Sequence, residues 1–234
     1  MDFKRGFKDG LAIGLGYLSV SFSFGILAVT SGLSWWQAVL VSLTNLTSAG
    51  QVAGVGIMAA GGSLIEMAVA TLVINARYAL MAISLSQKTD SSMTTPARLL
   101  TGFVITDEVF GVASGSEHPV TRNYMIGLGI LPVIGWTSGT LLGAVLGNVL
   151  PPVVTNALSI AIYGMFIAIV LPATRKSKAV MIVSIIACCL SAIFYYVPIL
   201  HDKISSGFAI IICSVIAALI GAIFMPAKGG KTDE

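Results

Sequence analysis

The chain has 234 residues, of which 56% are hydrophobic and 10% charged, with a formal net charge of +3. Soluble domains carry about 25% charged residues. That deficit excludes a soluble globular enzyme and a disordered chain, and so small a positive balance gives no support to a nucleic-acid partner. A mean hydropathy of +0.94 places most of the chain in lipid, where helices satisfy their own backbone. The fold class read from this is an all-α integral membrane protein, and its few charges become the informative residues.

Met1 to Gly10 is charged, and the apolar run that follows is too long for the core of a cleaved secretory signal; it reads as a retained first span. Gly10 to Ile65 carries no charge, nor does Asn123 to Thr174. At about 20 residues per span, each block holds two segments and a turn. In the first block the turn is Thr30-Ser-Gly-Leu-Ser34, followed by Trp35 and Trp36 as interface anchors. In the second it is Gly147-Asn-Val-Leu-Pro-Pro152. Further apolar segments run near 63–87, 97–115, 179–200 and 204–225. The total is about seven to eight, some of them broken or re-entrant.

Ile13-Gly-Leu-Gly16 recurs as Ile126-Gly-Leu-Gly129, and Leu18-Ser-Val20 as Leu131-Pro-Val133, at one common offset. Internal repeats are a habit of secondary transporters. The chain is therefore divided into two membrane repeats, residues 1–117 and 118–234. Counting Lys and Arg over eight spans puts Lys4, Arg5, Lys8, Arg122, Arg175, Lys176, Lys178, Lys228 and Lys231 on one side and Lys88, Arg98 and Lys203 on the other. The positive-inside rule then makes both termini cytoplasmic.

Two stretches suggest special backbone. Leu11–Ala28 carries Gly14, Gly16 and Gly25 among serines, a pattern that serves either irregular backbone or close packing. The second segment is interrupted by Asn45-Leu-Thr-Ser-Ala-Gly-Gln51, then Gly54 and Gly56. Irregular backbone at membrane depth survives only against protein or a wet cavity, and half-helix N-termini there suit a carboxylate. Gly139, Gly143 and Gly147 read as a helix-packing stripe.

Most charges have an easy place in loops. Glu66 suits the N-terminus of its segment and the interface. His118 and His201 lie in loops without a catalytic constellation around them. Cys188, Cys189 and Cys213 lack metal-ligand spacing and read as small packing residues. Arg77, Asp107 and Glu108 are different: with Asn75 and Thr106 they fall near the centres of segments 63–87 and 97–115, close to the bilayer midplane. Insertion scales assign roughly 2.5–3.5 kcal/mol to each such charge. Pairing Arg77 with one carboxylate neutralises part of this and leaves the other for a proton or a substrate ammonium.

Lys4-Arg-Gly-Phe-Lys-Asp-Gly10, Gly16-Tyr-Leu-Ser-Val-Ser-Phe-Ser-Phe-Gly25, Ser48-Ala-Gly-Gln51, Asn75-Ala-Arg-Tyr78 and Thr106-Asp-Glu108 occur in this order. Together they resemble the AzlC-type, or azaleucine-resistance, family of branched-chain amino acid exporters, over nearly the whole chain. Ser19 and Tyr78 stand where members of that family usually carry Pro and often His. The resemblance implies export of valine, leucine and similar amino acids across a bacterial inner membrane, with a small AzlD-type membrane subunit as partner.

The substrate carboxylate is then expected at Arg77 or at broken-helix N–H groups near Gly50 and Gln51, and its ammonium at Asp107 or Glu108. Those two carboxylates are also the candidates for proton coupling. Gln51, Asn75, Thr106 and Tyr17 complete the polar lining. No cofactor or metal is expected. An intramembrane enzyme is disfavoured because no His lies in a span, and a channel because the polar residues gather at one depth. A non-transporting membrane scaffold is the remaining alternative.

Overall fold

The computed structural model describes residues 2–147, 149–151 and 177–225, with short runs and single positions between 153 and 175. Asn148 and Pro152 of the second expected turn lie outside the described residues, as do Lys176, Lys228, Lys231 and the side chain of His201. The described residues form ten α-helices: α1 (Asp2–Thr30), α2 (Trp35–Thr44), α3 (Ala49–Ala59), α4 (Leu64–Ser86), α5 (Thr95–Gly102), α6 (Asp107–Ser114), α7 (Arg122–Leu146), α8 (Lys178–Tyr196), α9 (Pro198–Lys203) and α10 (Ser206–Phe224). Of these, α1, α4, α7, α8 and α10 are long and apolar enough to cross a membrane. The chain is an all-α membrane protein. Its residues divide into two compact units, Met1–Val55 with Asn75–Gly164 and Gly56–Ile74 with Met165–Glu234.

The first unit is built on a seam between α1 and α7. The two helices run parallel: Gly6 lies against Tyr124 and Leu128, Gly14 against Leu131, and Gly25 against Thr140 and Ala144. A Cβ on Gly135 would stand 2.2 Å from the carbonyl oxygen of Gly14, and one on Gly143 1.9 Å from that of Phe22. Lipid tails are as apolar as leucine, so helices in a bilayer gain little by burying large apolar groups and associate where small residues let backbones touch. The stripe Gly139–Gly147 has this packing role. So do Gly6, Gly10, Gly14 and Gly25 of α1, which runs unbroken through Ser19.

Two pairs of short helices fold back alongside this seam. The expected turn follows α1: Gly32 takes φ +95°, and Leu33 N–H returns to Ala28 O at 3.1 Å. Gln37 Oε1 then accepts from Ser34 N–H at 2.8 Å to start α2. The break expected in this segment lies between Thr44 and Ala49, with Ser48 in the left-handed region at φ +42°. Past it the chain doubles back at the start of α3. Gln51 Nε2 donates to Ser42 Oγ at 3.0 Å, whereas nine residues of straight helix would separate them by about 13 Å.

The segment expected as continuous over 97–115 is also two helices, α5 and α6, with Phe103–Thr106 between them. Thr106 leaves helical geometry to cap α6, its Oγ1 accepting from Val109 N–H at 3.3 Å. The pair returns to the end it left. Lys88 Nζ donates to the Ser114 and Ser116 carbonyls, Val120 N–H to Lys88 O at 2.8 Å, and Arg122 N–H to Ser92 Oγ at 2.9 Å. At that end Thr121 donates to Asp2 at 3.0 Å and Tyr124 to Asp9 at 2.9 Å. Lys88 and Arg98 therefore share an end with Lys4, Arg5, Lys8 and Arg122. The opposite placement expected from sequence assumed that every apolar segment crosses.

In the second unit α8 packs on α10. Glu66, in the first turn of α4, is buried at 4% exposure. Its carboxylate accepts the Ser205 hydroxyl and, at 3.0 Å, the Gly207 N–H. It thus closes the first turn of α10 as well as suiting its own helix end.

The seam predicts opposite outcomes for two glycines. Gly135→Ala is expected to lower the thermal midpoint of the purified protein, with an overpacking cost of about 1–3 kcal/mol. Gly16→Ala, with nothing within 4 Å of the new Cβ, is expected to stay at or slightly above wild type. The folded-back α5–α6 pair predicts topology: with Cys188, Cys189 and Cys213 replaced, a membrane-impermeant thiol reagent labels Ser92→Cys from the same side as Lys4→Cys and from the side opposite Ser31→Cys.

Candidate functional site

The two breaks, one after α2 and one after α5, both reach the middle of α1, where Tyr17 is buried at 7% exposure. The ring of Tyr17 stands edge-on to Trp136 of α7, centroids 5.1 Å apart, and Leu46 from the first break completes that apolar cluster. Its hydroxyl lies 2.7 Å from Thr106 Oγ1 and also hydrogen-bonds to the Glu108 carboxylate at the second break. Thr140, one turn beyond Trp136, sits 2.7 Å from Ser42 Oγ, which in turn accepts from Gln51. A polar ladder thus ties α7 to α2 and α3.

Asp107 and Glu108 occupy the first turn of α6, where the unpaired N–H groups and helix dipole favour a carboxylate. This is the local reason a sequence with adjacent acids starts a helix at membrane depth. The two acids have different partners. Arg77 Nη1 pairs with Asp107 Oδ2 at 2.9 Å, and this is the one ion pair among the described residues. Glu108 is held by Tyr17 instead. The two choices left open by the sequence for the partner of Arg77 are thereby resolved in favour of Asp107.

Arg77 is further fixed by its neighbour: Nη2 donates to the Tyr78 hydroxyl at 3.1 Å, and the guanidinium carbon stands 4.9 Å from the centroid of the Tyr78 ring. The Tyr78 hydroxyl reaches Thr47 O at 3.5 Å. Asn75 lies beside Gly50, where a Cβ would come within 3.0 Å of Asn75 Oδ1; glycine here lets the amide approach the backbone of the first break. Tyr17, Gly50, Gln51, Asn75, Arg77, Thr106, Asp107 and Glu108 therefore gather around the two breaks. Ser42, Thr47, Tyr78, Trp136 and Thr140 join them, none of which is among the site residues expected from sequence. Tyr78, next to a mid-span arginine, carried a readable signal; the other four are revealed only by contacts between distant segments.

The cluster leaves polar atoms unused. Gln51 Oε1, Asn75 Oδ1, Arg77 Nε and Trp136 Nε1 are buried without a hydrogen-bond partner. Buried polar groups are normally paired, and each one left over calls for an explanation. Two of these atoms accept and two donate, the combination that a small zwitterion needs. The Arg77 and Asp107 side chains keep 38% and 23% of their surface exposed, so the ion pair is not fully enclosed.

A family model described as AzlC protein matches residues 12–150. The chain belongs to the AzlC family. The matched region holds every residue of the cluster. The chain is 28% identical to the inner membrane protein YgaZ of Escherichia coli K12, over 99% of this chain and 94% of that protein. It is 30% identical to a membrane protein of Archaeoglobus fulgidus, over 73% of this chain and 75% of that one. A membrane protein of Helicobacter pylori is 28% identical over 62% and 64% of the two chains. No solved structure matches the chain.

The ion pair predicts non-additive energetics. Arg77→Ala and Asp107→Ala should each destabilise by stranding the partner, and the double variant should recover part of the loss. Residues in contact show interaction energies of about 0.5–3 kcal/mol. A thermal-denaturation cycle over the four proteins measures it.

Proposed function

We propose that the chain is a transporter that exports branched-chain amino acids, such as valine, leucine and isoleucine, across the bacterial inner membrane in exchange for protons. The observation that carries this reading is the Arg77–Asp107 pair beside Glu108, at mid-depth, where two helix breaks and four unpartnered polar atoms converge. Intramembrane charges at such a depth are functional by default, and transporters place substrate sites at broken helices near the midplane. A static scaffold has no use for buried donors and acceptors left unpaired, and the family resemblance points the same way.

On this reading the substrate carboxylate takes the donors, Arg77 Nε foremost, at the first break near Gly50 and Gln51. The ammonium takes Glu108 and the free amide oxygens. The aliphatic side chain lies on the apolar wall of Leu46, Trp136 and Val133, where one methylene discriminates by only about 1–3 kcal/mol. Several branched-chain substrates are therefore accepted.

Asp107 is taken up by Arg77, which leaves Glu108, held by a neutral hydroxyl, as the carboxylate proposed for proton coupling. A tyrosine hydroxyl has one hydrogen to give. It serves Glu108 when that carboxylate is ionised and is released to Thr106 when Glu108 carries its own proton. The contact between α1 and the second break thus responds to protonation of Glu108, which gives the proton a route to the helix arrangement.

The end bearing Lys4, Arg5, Lys8, Lys88, Arg98 and Arg122 faces the cytoplasm on this reading, with both termini inside. A small AzlD-type membrane subunit is the proposed partner.

Valine efflux from cells loaded with a valine-containing dipeptide tests the proposal. At equal expression, Arg77→Ala and the Asp107→Asn/Glu108→Gln double variant are expected to lose at least tenfold in rate, the equivalent of about 1.4 kcal/mol. Glu108→Gln alone is expected to lose acceleration by an imposed proton gradient. Efflux at wild-type rates in the first two variants overturns the site.

A further inference from the structure

A second feature of the first unit lies away from the polar cluster, at the end that carries the cations. A crevice of about 330 Å³ opens between the last turn of α4, α5 and the start of α7, with walls formed by Ile83, Leu85, Met93, Ile105 and Met125. Ligand pockets run from about 300 to 1,000 Å³. The one charged residue lining the crevice is Arg98. No carboxylate pairs with Arg98 among the described residues. Its guanidinium is anchored from behind, Nε donating to Met93 O at 3.0 Å and Nη2 to Thr89 Oγ1 at 3.3 Å. That leaves Nη1 for an incoming anion.

A second groove of about 370 Å³, apolar apart from Thr101, lies on the neighbouring face of α5. Thr101 lines both, and the groove follows α7 from Ile126 to Ile134 past Phe103 and Val104. It heads from the cationic end toward the membrane interior. An anchored cation at the cationic end of the unit, beside an apolar groove that runs along a spanning helix, matches one amphiphile in both charge and direction.

We propose that Arg98 and this crevice form a binding site for an anionic phospholipid, with the phosphate on Arg98 and an acyl chain in the groove between α5 and α7. Basic pockets between spanning helices hold lipid headgroups through charge-assisted hydrogen bonds, and guanidinium suits phosphate. The lipid closes the open side of α5, the half-helix leading to the break at Phe103–Thr106. It fills a space that neither α4 nor α7 covers.

The test titrates the detergent-purified full chain with phosphatidylglycerol or phosphatidylcholine and follows the thermal midpoint. Phosphatidylglycerol should raise the midpoint above the value reached with phosphatidylcholine. In Arg98→Gln its half-saturating concentration should rise about fivefold or more, the scale of one surface cation on an anionic lipid. Arg98→Lys should keep part of the effect. Ile83→Trp, which leaves the cation and fills the crevice, should lose it. Three results would overturn the proposal: no advantage of phosphatidylglycerol over phosphatidylcholine, an equal loss in Lys8→Gln (which reports diffuse surface charge), or full stabilisation by inorganic phosphate alone.

Discussion

Backbone contact between α1 and α7 is the constraint on which the first unit depends. In water two such helices would be driven together by burying leucine and phenylalanine; in lipid that drive is absent, and close approach must supply the attraction. The glycines on both helices, from Gly6 to Gly25 on one and from Gly127 to Gly147 on the other, make that approach possible. Parallel packing in this register places Tyr17 and Trp136 edge to face. From that spine the two folded-back helix pairs are attached, α2 and α3 through Ser42 and Thr140, α5 and α6 through Tyr17 and Thr106. A side chain larger than hydrogen along the seam would move every one of these contacts.

The half-length helices have a cost that the polar cluster offsets. Each break strands backbone N–H and C=O groups at a depth where water is scarce. Thr106 and the two acids of α6 answer the N–H groups of the second break, Arg77 answers Asp107, and Tyr17 answers Glu108. Ser48, in a left-handed conformation few non-glycine residues adopt, marks the first break as strained. Stored strain, adjacent acids with unlike partners and unused hydrogen-bonding atoms sit within one small region. Asp107 and Glu108 are neighbours in sequence yet face different chemistry, one a cation and the other a neutral hydroxyl.

Much of this was legible without coordinates. Composition identified the membrane class, and the segments near 63–87, 179–200 and 204–225 agree closely with α4, α8 and α10. Arg77, Asp107 and Glu108 stood out because a charge at mid-segment contradicts its surroundings, and the Asn45–Gln51 break because amide, hydroxyl and glycine cluster there. The second break was hidden. Phe103, Val104 and Ile105 are as apolar as any span, and only Thr106 followed by two acids carries a capping signal, which reads equally well as a buried charge site. Missing it put Lys88 and Arg98 at the opposite end, since each apolar run was taken to cross. Ser42, Thr140 and Trp136 matter through partners distant in the chain, and periodicity has no access to such contacts.

The central claim is that a zwitterionic amino acid is bound where the two helix breaks meet. An experimental structure of the protein with valine bound tests it most directly. The account predicts the valine carboxylate within hydrogen-bonding distance of Arg77 and the first break, its ammonium on Glu108, and its isopropyl group against Leu46 and Trp136. Valine bound elsewhere, with Arg77, Asp107 and Glu108 in unchanged contact with one another and with no ligand, would contradict it.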